Sequence, residues 1–200
     1  MRRQRSSKPL DRNQRRLLRA AALRAAAAGG AIAVVLAALD GIAISAQDKY
    51  SLKIPNGLAF ADFAGYEKWE NVAVSQTKTA IKAILANPIM MEAFRSGLPA
   101  KGKFFPDGSK VVKIFWSFKE NSASPYFVTV PDQLKELAFI EKDTRRFPNT
   151  HGWAYADWAY DAATDTFTPS ELSSSGAACG FTCHTRVAEQ DYIFTAYPKR

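Results

Sequence analysis

The stretch Ser109-Lys110-Val111-Val112-Lys113-Ile114-Phe115-Trp116-Ser117-Phe118-Lys119 alternates along its length. Val112, Ile114, Trp116 and Phe118 fall on one side, and Val111, Lys113, Phe115 and Ser117 on the other. Period-two spacing of β-branched and aromatic residues specifies a β-strand, and the turn Phe105-Pro106-Asp107-Gly108 sets where it begins. Further on, Gly152 to Asp161 alternates small with aromatic residues, which predicts a half-buried antiparallel strand ending in turn chemistry over Asp161 to Thr166. Another strand is predicted at Tyr126 to Val130, and Asp132 to Phe139 reads as a short helix or a bulged strand after Pro131. Between Tyr66 and Arg95 the apolar positions recur irregularly and Pro88 interrupts them. The reading there is a helix around Tyr66 to Glu70, a strand at Asn71 to Ser75, and helices around Ile81 to Leu85 and Ile89 to Arg95. A few strands joined by short turns and flanked by helices give an α+β fold, a small and mainly antiparallel sheet with peripheral helices.

The first 24 residues carry nine Lys and Arg against one acid, Asp11, and an apolar run from Ala25 to Leu39 follows. That order marks residues 1–46 as a signal peptide or signal anchor, with cleavage near Ser45 or Ala46 and export to the periplasm. The competing reading is an uncleaved span that leaves the protein anchored and facing the periplasm. It needs about 20 apolar residues and must accept Asp40 and three glycines between Ala25 and Ala46. Of the 27 basic and 19 acidic residues, 18 of each lie beyond residue 24, so the formal charge of +8 belongs to the leader. The remaining chain is nearly neutral and gives no support to a nucleic-acid partner. Residues 47–200 have the length of one domain with one core.

Near the C-terminus stands Cys179-Gly180-Phe181-Thr182-Cys183-His184. Two thiols followed at once by an imidazole suit c-type haem attachment, in which each cysteine adds to a vinyl group as a thioether and the histidine becomes the axial ligand of iron. Three residues, rather than the usual two, separate the cysteines. A disulfide across the three-residue loop is the alternative, although it leaves His184 without a role. Zinc is poorer in ligands, with His151 the only other histidine. Thioether attachment takes place outside the cytoplasm in bacteria, where a disulfide could persist as well, so both cysteine readings need the same compartment, in keeping with export. Ser173-Ser174-Ser175-Gly176 before the motif suggests a flexible C-terminal loop that brings the cysteines to the ring.

Several blocks follow one another along the chain: Phe105 to Gly108 followed by Lys113, Lys142-Asp143-Thr144-Arg145-Arg146-Phe147, Gly152-Trp153-Ala154-Tyr155, Cys179 to His184, and Asp191-Tyr192-Ile193-Phe194-Thr195. In this the chain resembles the cytochrome P-460 family over roughly residues 104–197. The resemblance implies a homodimer with one covalent haem c per chain, attached at Cys179 and Cys183, and five-coordinate iron with His184 as its ligand. It also implies one of two functions. Enzymes of the family oxidise hydroxylamine to nitrous oxide or nitrite with a lysine cross-linked to a porphyrin meso carbon, and pass electrons to an acceptor such as a soluble cytochrome c. The related cytochromes c′ of β fold lack that lysine and bind nitric oxide or other small gases. Lys113 matches the lysine, and its neighbours Val111 and Phe115 make a face on which an amine is desolvated. The plain alternative is a solvated lysine at a sheet edge. Asp143 with Arg146 is the charged pair read as lining the pocket, with Glu120, Glu136 and Glu141 as further candidates for the proton acceptor. Phe115, Phe127, Trp153, Tyr155 and Trp158 read as core. A protein that only shuttles electrons would need a second strong ligand, for which Met90 and Met91 are the available thioethers.

Overall fold

A computed structural model describes residues 47–170 and 178–200, so the leader at 1–46 and the Ser173 to Gly176 segment lie outside the described residues. The chain folds around a six-stranded antiparallel sheet in which every strand pairs with its neighbours in sequence. The strands are β1 (Glu70–Gln76), β2 (Ile81–Ala86), β3 (Lys110–Glu120), β4 (Thr129–Lys142), β5 (Trp153–Asp161) and β6 (Thr166–Pro169). Helix α1 (Pro88–Arg95) leads from β2 towards β3, and α2 (Ala178–His184) follows the sheet. Among the described residues no helix is long and apolar enough to cross a membrane.

The alternation of β3 is the plan of the molecule. On one face Val112 joins Leu85, Leu137, Phe139, Ala156 and Trp158 in a core closed by Ile54, Leu58, Phe60, Phe63 and Tyr66 of the N-terminal segment. Phe60 sits at its centre, with ring centroids 5.0 Å from Phe139, 5.5 Å from Trp158 and 5.2 Å from Phe167. Burying a side chain of this size contributes about 1.5–3 kcal/mol, so this seal is built for stability. The opposite face packs Val111, Ile84, Ile140, Trp153 and Tyr155 against Met90, Met91 and Phe94 of α1 and against Tyr192 and Ile193. Asn87 starts α1: its side chain accepts from Met90 N–H at 3.0 Å and Lys110 N–H at 3.1 Å and donates to the Gly108 carbonyl at 2.8 Å, with Pro88 in the first turn.

The α+β reading stands, while several local expectations change. Ile81 to Leu85 is strand, not helix. Ala83 and Leu85 enter one core and Ile84 and Ala86 the other, so the segment is apolar on both sides, a pattern that a short helix shares. The expected helix at Tyr66 to Glu70 is a 3-10 turn over Tyr66–Lys68 that gives way to β1 at Glu70. Asp132 to Phe139 takes the bulged-strand form, with register shifts opposite Phe115, Trp116 and Phe118. Strand structure begins at Thr129, not Tyr126, and Phe127 is fully exposed at the β3–β4 hairpin tip, outside any core. The cysteine motif lies on a helix, α2, where a loop was expected.

Candidate functional site

Strand register assembles the site. Ile84, Lys113, Ala138 and Asp157 stand opposite one another across β2 to β5, and the adjacent row holds Lys82, Phe115 and Glu136. Directly opposed residues share a face, so these two rows bring Lys113, Glu136 and Asp157 together on the face that α1 leaves uncovered. They line a cleft of about 350 Å³ whose remaining wall includes Gly180, Cys183 and His184 of α2. Both lysine ammonium groups lie over the Phe115 ring, Lys82 at 4.5 Å and Lys113 at 5.8 Å.

The electrostatics follow from this crowding under partial burial. Burial lowers the pKa of Lys113, and the charge of Lys82 lowers it further, against partial compensation by Asp157 and Glu136. Burial raises both carboxyl groups: Lys113 partly offsets this at Asp157, while Asp157 raises Glu136 further. His184 is held below its ordinary value, chiefly by burial, which favours the neutral imidazole that a metal needs.

Helix α2 is shaped for close approach. A Cβ at Gly180 would collide with Cβ and Cγ of Tyr155, so glycine allows the helix backbone to lie on that ring. Positions 179 and 183 are four residues apart on this helix, about one turn. Cys183 is a free, exposed thiol. The His184 ring lies 4.7 Å from that of Tyr155 and 4.9 Å from that of Phe194. Its Nδ1 is 2.5 Å from the Tyr192 carbonyl, which can only accept; Nδ1 therefore donates and Nε2 carries the free lone pair. A metal-ligating histidine commonly makes this bond. The Tyr155 hydroxyl is buried with no hydrogen-bond partner among the described residues, ready for a group that enters the cleft. An oriented imidazole, an adjacent free thiol, a helix pressed against the sheet and an orphan hydroxyl beside the cleft fit haem c.

The profile of the cytochrome P460 family matches residues 63–195, from the end of the N-terminal seal through all six strands, α2 and the C-terminal block. The chain belongs to the cytochrome P460 family. None of the curated proteins compared with it is significantly similar. Proteins of the P460 family are c-type haem proteins, and one covalent haem c is the cofactor of this chain.

Of the residues singled out in the sequence, Lys113, Glu136, Cys183 and His184 meet in the P460 cleft. Cys179 lies on the same helix. Asp143 and Arg146 lie outside that constellation. The Asp143 carboxylate accepts N–H bonds from Arg145 and Arg146 at 3.0 Å each and shapes the corner after β4. Arg146 reaches Glu141 at 3.3 Å, Asp62 at 3.7 Å and the Gly57 carbonyl at 3.3 Å, clamping the N-terminal seal. Glu141 also pairs with Lys110 at 3.3 Å, and Glu120 is exposed at the end of β3. Asp157 and Lys82 were missed. Asp157 carried a readable signal, an acid on the side of β5 otherwise occupied by Trp153 and Tyr155.

Proposed function

We propose that this cytochrome P460 protein is a periplasmic, homodimeric oxidoreductase that oxidises hydroxylamine, with Lys113 cross-linked to its haem and a soluble cytochrome c as electron acceptor. The observation that carries the reading is Lys113 itself, a burial-depressed amine in the cleft that Cys183 and His184 also line. Burial and the neighbouring Lys82 favour its neutral, nucleophilic form. Joining Nζ to the ring would remove one hydrogen from each partner, a two-electron oxidation that hydrogen peroxide could accept, the peroxide being reduced to two waters.

When bound, haem supplies the electron-transfer chemistry and an open coordination position for the substrate nitrogen. Cys179 and Cys183 would hold it covalently, and His184, its ring fixed by the Tyr192 carbonyl, would offer Nε2 to iron. Met90 and Met91 are buried on the core side of α1, and His184 is the one His or Met lining the cleft among the described residues, so no second ligand would compete with substrate for the iron. Turning two hydroxylamine molecules into nitrous oxide and water releases four electrons and four protons. Turning one, with water, into nitrite releases four electrons and five protons. Glu136 and Asp157 are the cleft carboxylates that can take those protons, and their raised pKa values bring their basicity closer to neutrality than an ordinary carboxylate's.

Replacing Lys113 by leucine keeps a side chain of similar width and removes the amine. The account expects Lys113→Leu to fold and keep its haem, to show the spectrum of ordinary haem c, and to lose hydroxylamine turnover while still binding nitric oxide. Unchanged spectrum and turnover would make Lys113 an ordinary strand residue. A wild-type spectrum identical to the variant's, without turnover in either, would put gas binding first.

A further inference from the structure

The C-terminal segment contains a buried carboxylate that the haem chemistry does not use. Asp191 is 1% exposed, and donors from three separate elements converge on it. Lys142, at the end of β4, reaches both oxygens at 2.8 and 3.0 Å; Trp153, at the start of β5, donates Nε1–H at 3.2 Å; Phe105, before β3, donates its backbone N–H at 2.8 Å. Asp191 and the next residue, Tyr192, both adopt left-handed backbone angles, with φ of 50° and 64°. Two successive non-glycine residues in that region are disfavoured and persist only where their surroundings over-determine them. The three-donor grip on Asp191 is such a surrounding. The turn it holds points the Tyr192 carbonyl at His184 Nδ1, while the Tyr192 ring is stacked on His151 at 5.2 Å and packed against Phe181 at 5.0 Å.

We infer that Asp191 is a positioning residue for the iron ligand: by anchoring the left-handed turn, it sets the aim and strength of the His184 Nδ1–H bond to Tyr192, and through it how strongly the imidazole donates to iron. A carbonyl held firmly on Nδ1–H increases the basicity of Nε2, strengthens the iron–histidine bond and favours ferric over ferrous iron. Loosening the anchor weakens the bond and raises the reduction potential. The inference rests on His184 as the ligand of haem c and is independent of the substrate.

The test uses the full haem-loaded protein. Asp191→Asn alone strands the buried Lys142 ammonium, so it is combined with Lys142→Met, an unbranched uncharged side chain of similar length that fills the same space. Trp153→Phe, removing one donor and no charge, is the milder companion that remains informative where the double variant does not fold. In folded protein with haem still attached, the expected results are a downward shift of the ferrous iron–histidine stretching band in resonance Raman spectra and an upward shift of the reduction potential. Both should be smaller in Trp153→Phe. Folded variants with the band and the potential unchanged would overturn the inference and leave Asp191 a purely structural anchor. Absence of any iron–histidine band in the unsubstituted protein would overturn the ligand assignment, and this inference with it.

Discussion

A carboxylate takes protons only while ionised, and burial together with Asp157 holds Glu136 above the ordinary carboxylate range. Hydroxylamine oxidation should therefore fall as pH drops through that raised value, with the acidic limb lying above pH 4.5, the ordinary glutamate value. Glu136→Gln should lower kcat/KM by roughly 100-fold or more and abolish that limb, which a pH–rate profile of both proteins measures. An unchanged limb in the variant would move the role to Asp157. At this scale the legible signals were charges on the wrong side of an alternating strand. Lys113 between Val111 and Phe115 is one, and Asp157 beyond Trp153 and Tyr155 is written in the same way. Asp143 and Arg146 were not legible as clamp residues, because whether a charged pair faces a cleft or ties down a distant segment is decided by packing across the sheet, here against Asp62 and Gly57.

At the scale of elements, α2 depends on one missing side chain. On an exposed helix, Gly→Ala gains about 1 kcal/mol from helix propensity. At Gly180 the sign should invert, because the added methyl meets the Tyr155 ring. Gly180→Ala is expected to cost about 1–3 kcal/mol, the usual range for overpacking, and to lower the yield of attached haem by moving Cys183 and His184 off the cleft. Thermal unfolding and haem staining after denaturing electrophoresis measure the two effects. β3 and β5 were legible because their alternation runs for 11 and 9 residues and passes from core positions to partly open ones. β2 was not, since it has only six residues and its last four enter the cores on both faces. The helical form of the haem motif was hidden in its unusual spacing: a four-residue step is one helical turn, but without the Tyr155 contact nothing in the local sequence distinguishes helix from loop.

The whole molecule divides its labour between the two faces of one sheet. The Phe60 side is sealed by the N-terminal segment and provides stability, while the Lys113 side is left partly open for a prosthetic group and is framed by two helices. The family blocks that made the haem legible lie along the second face and its rim, so the fold class and the attachment motif could be read before the cleft's full set of charges. The central claim is that one haem joins the two parts of that cleft, α2 and β3. It is tested most directly by digesting the mature, haem-loaded protein with trypsin and identifying every peptide bonded to haem by mass spectrometry. A lysine bonded to the ring resists cleavage, so the account expects one haem-bearing species that contains both the peptide from Phe147 to Arg186 and an uncut peptide from Val111 to Lys119. Haem bonded to the Phe147 to Arg186 peptide alone, with cleavage after Lys113, would contradict it.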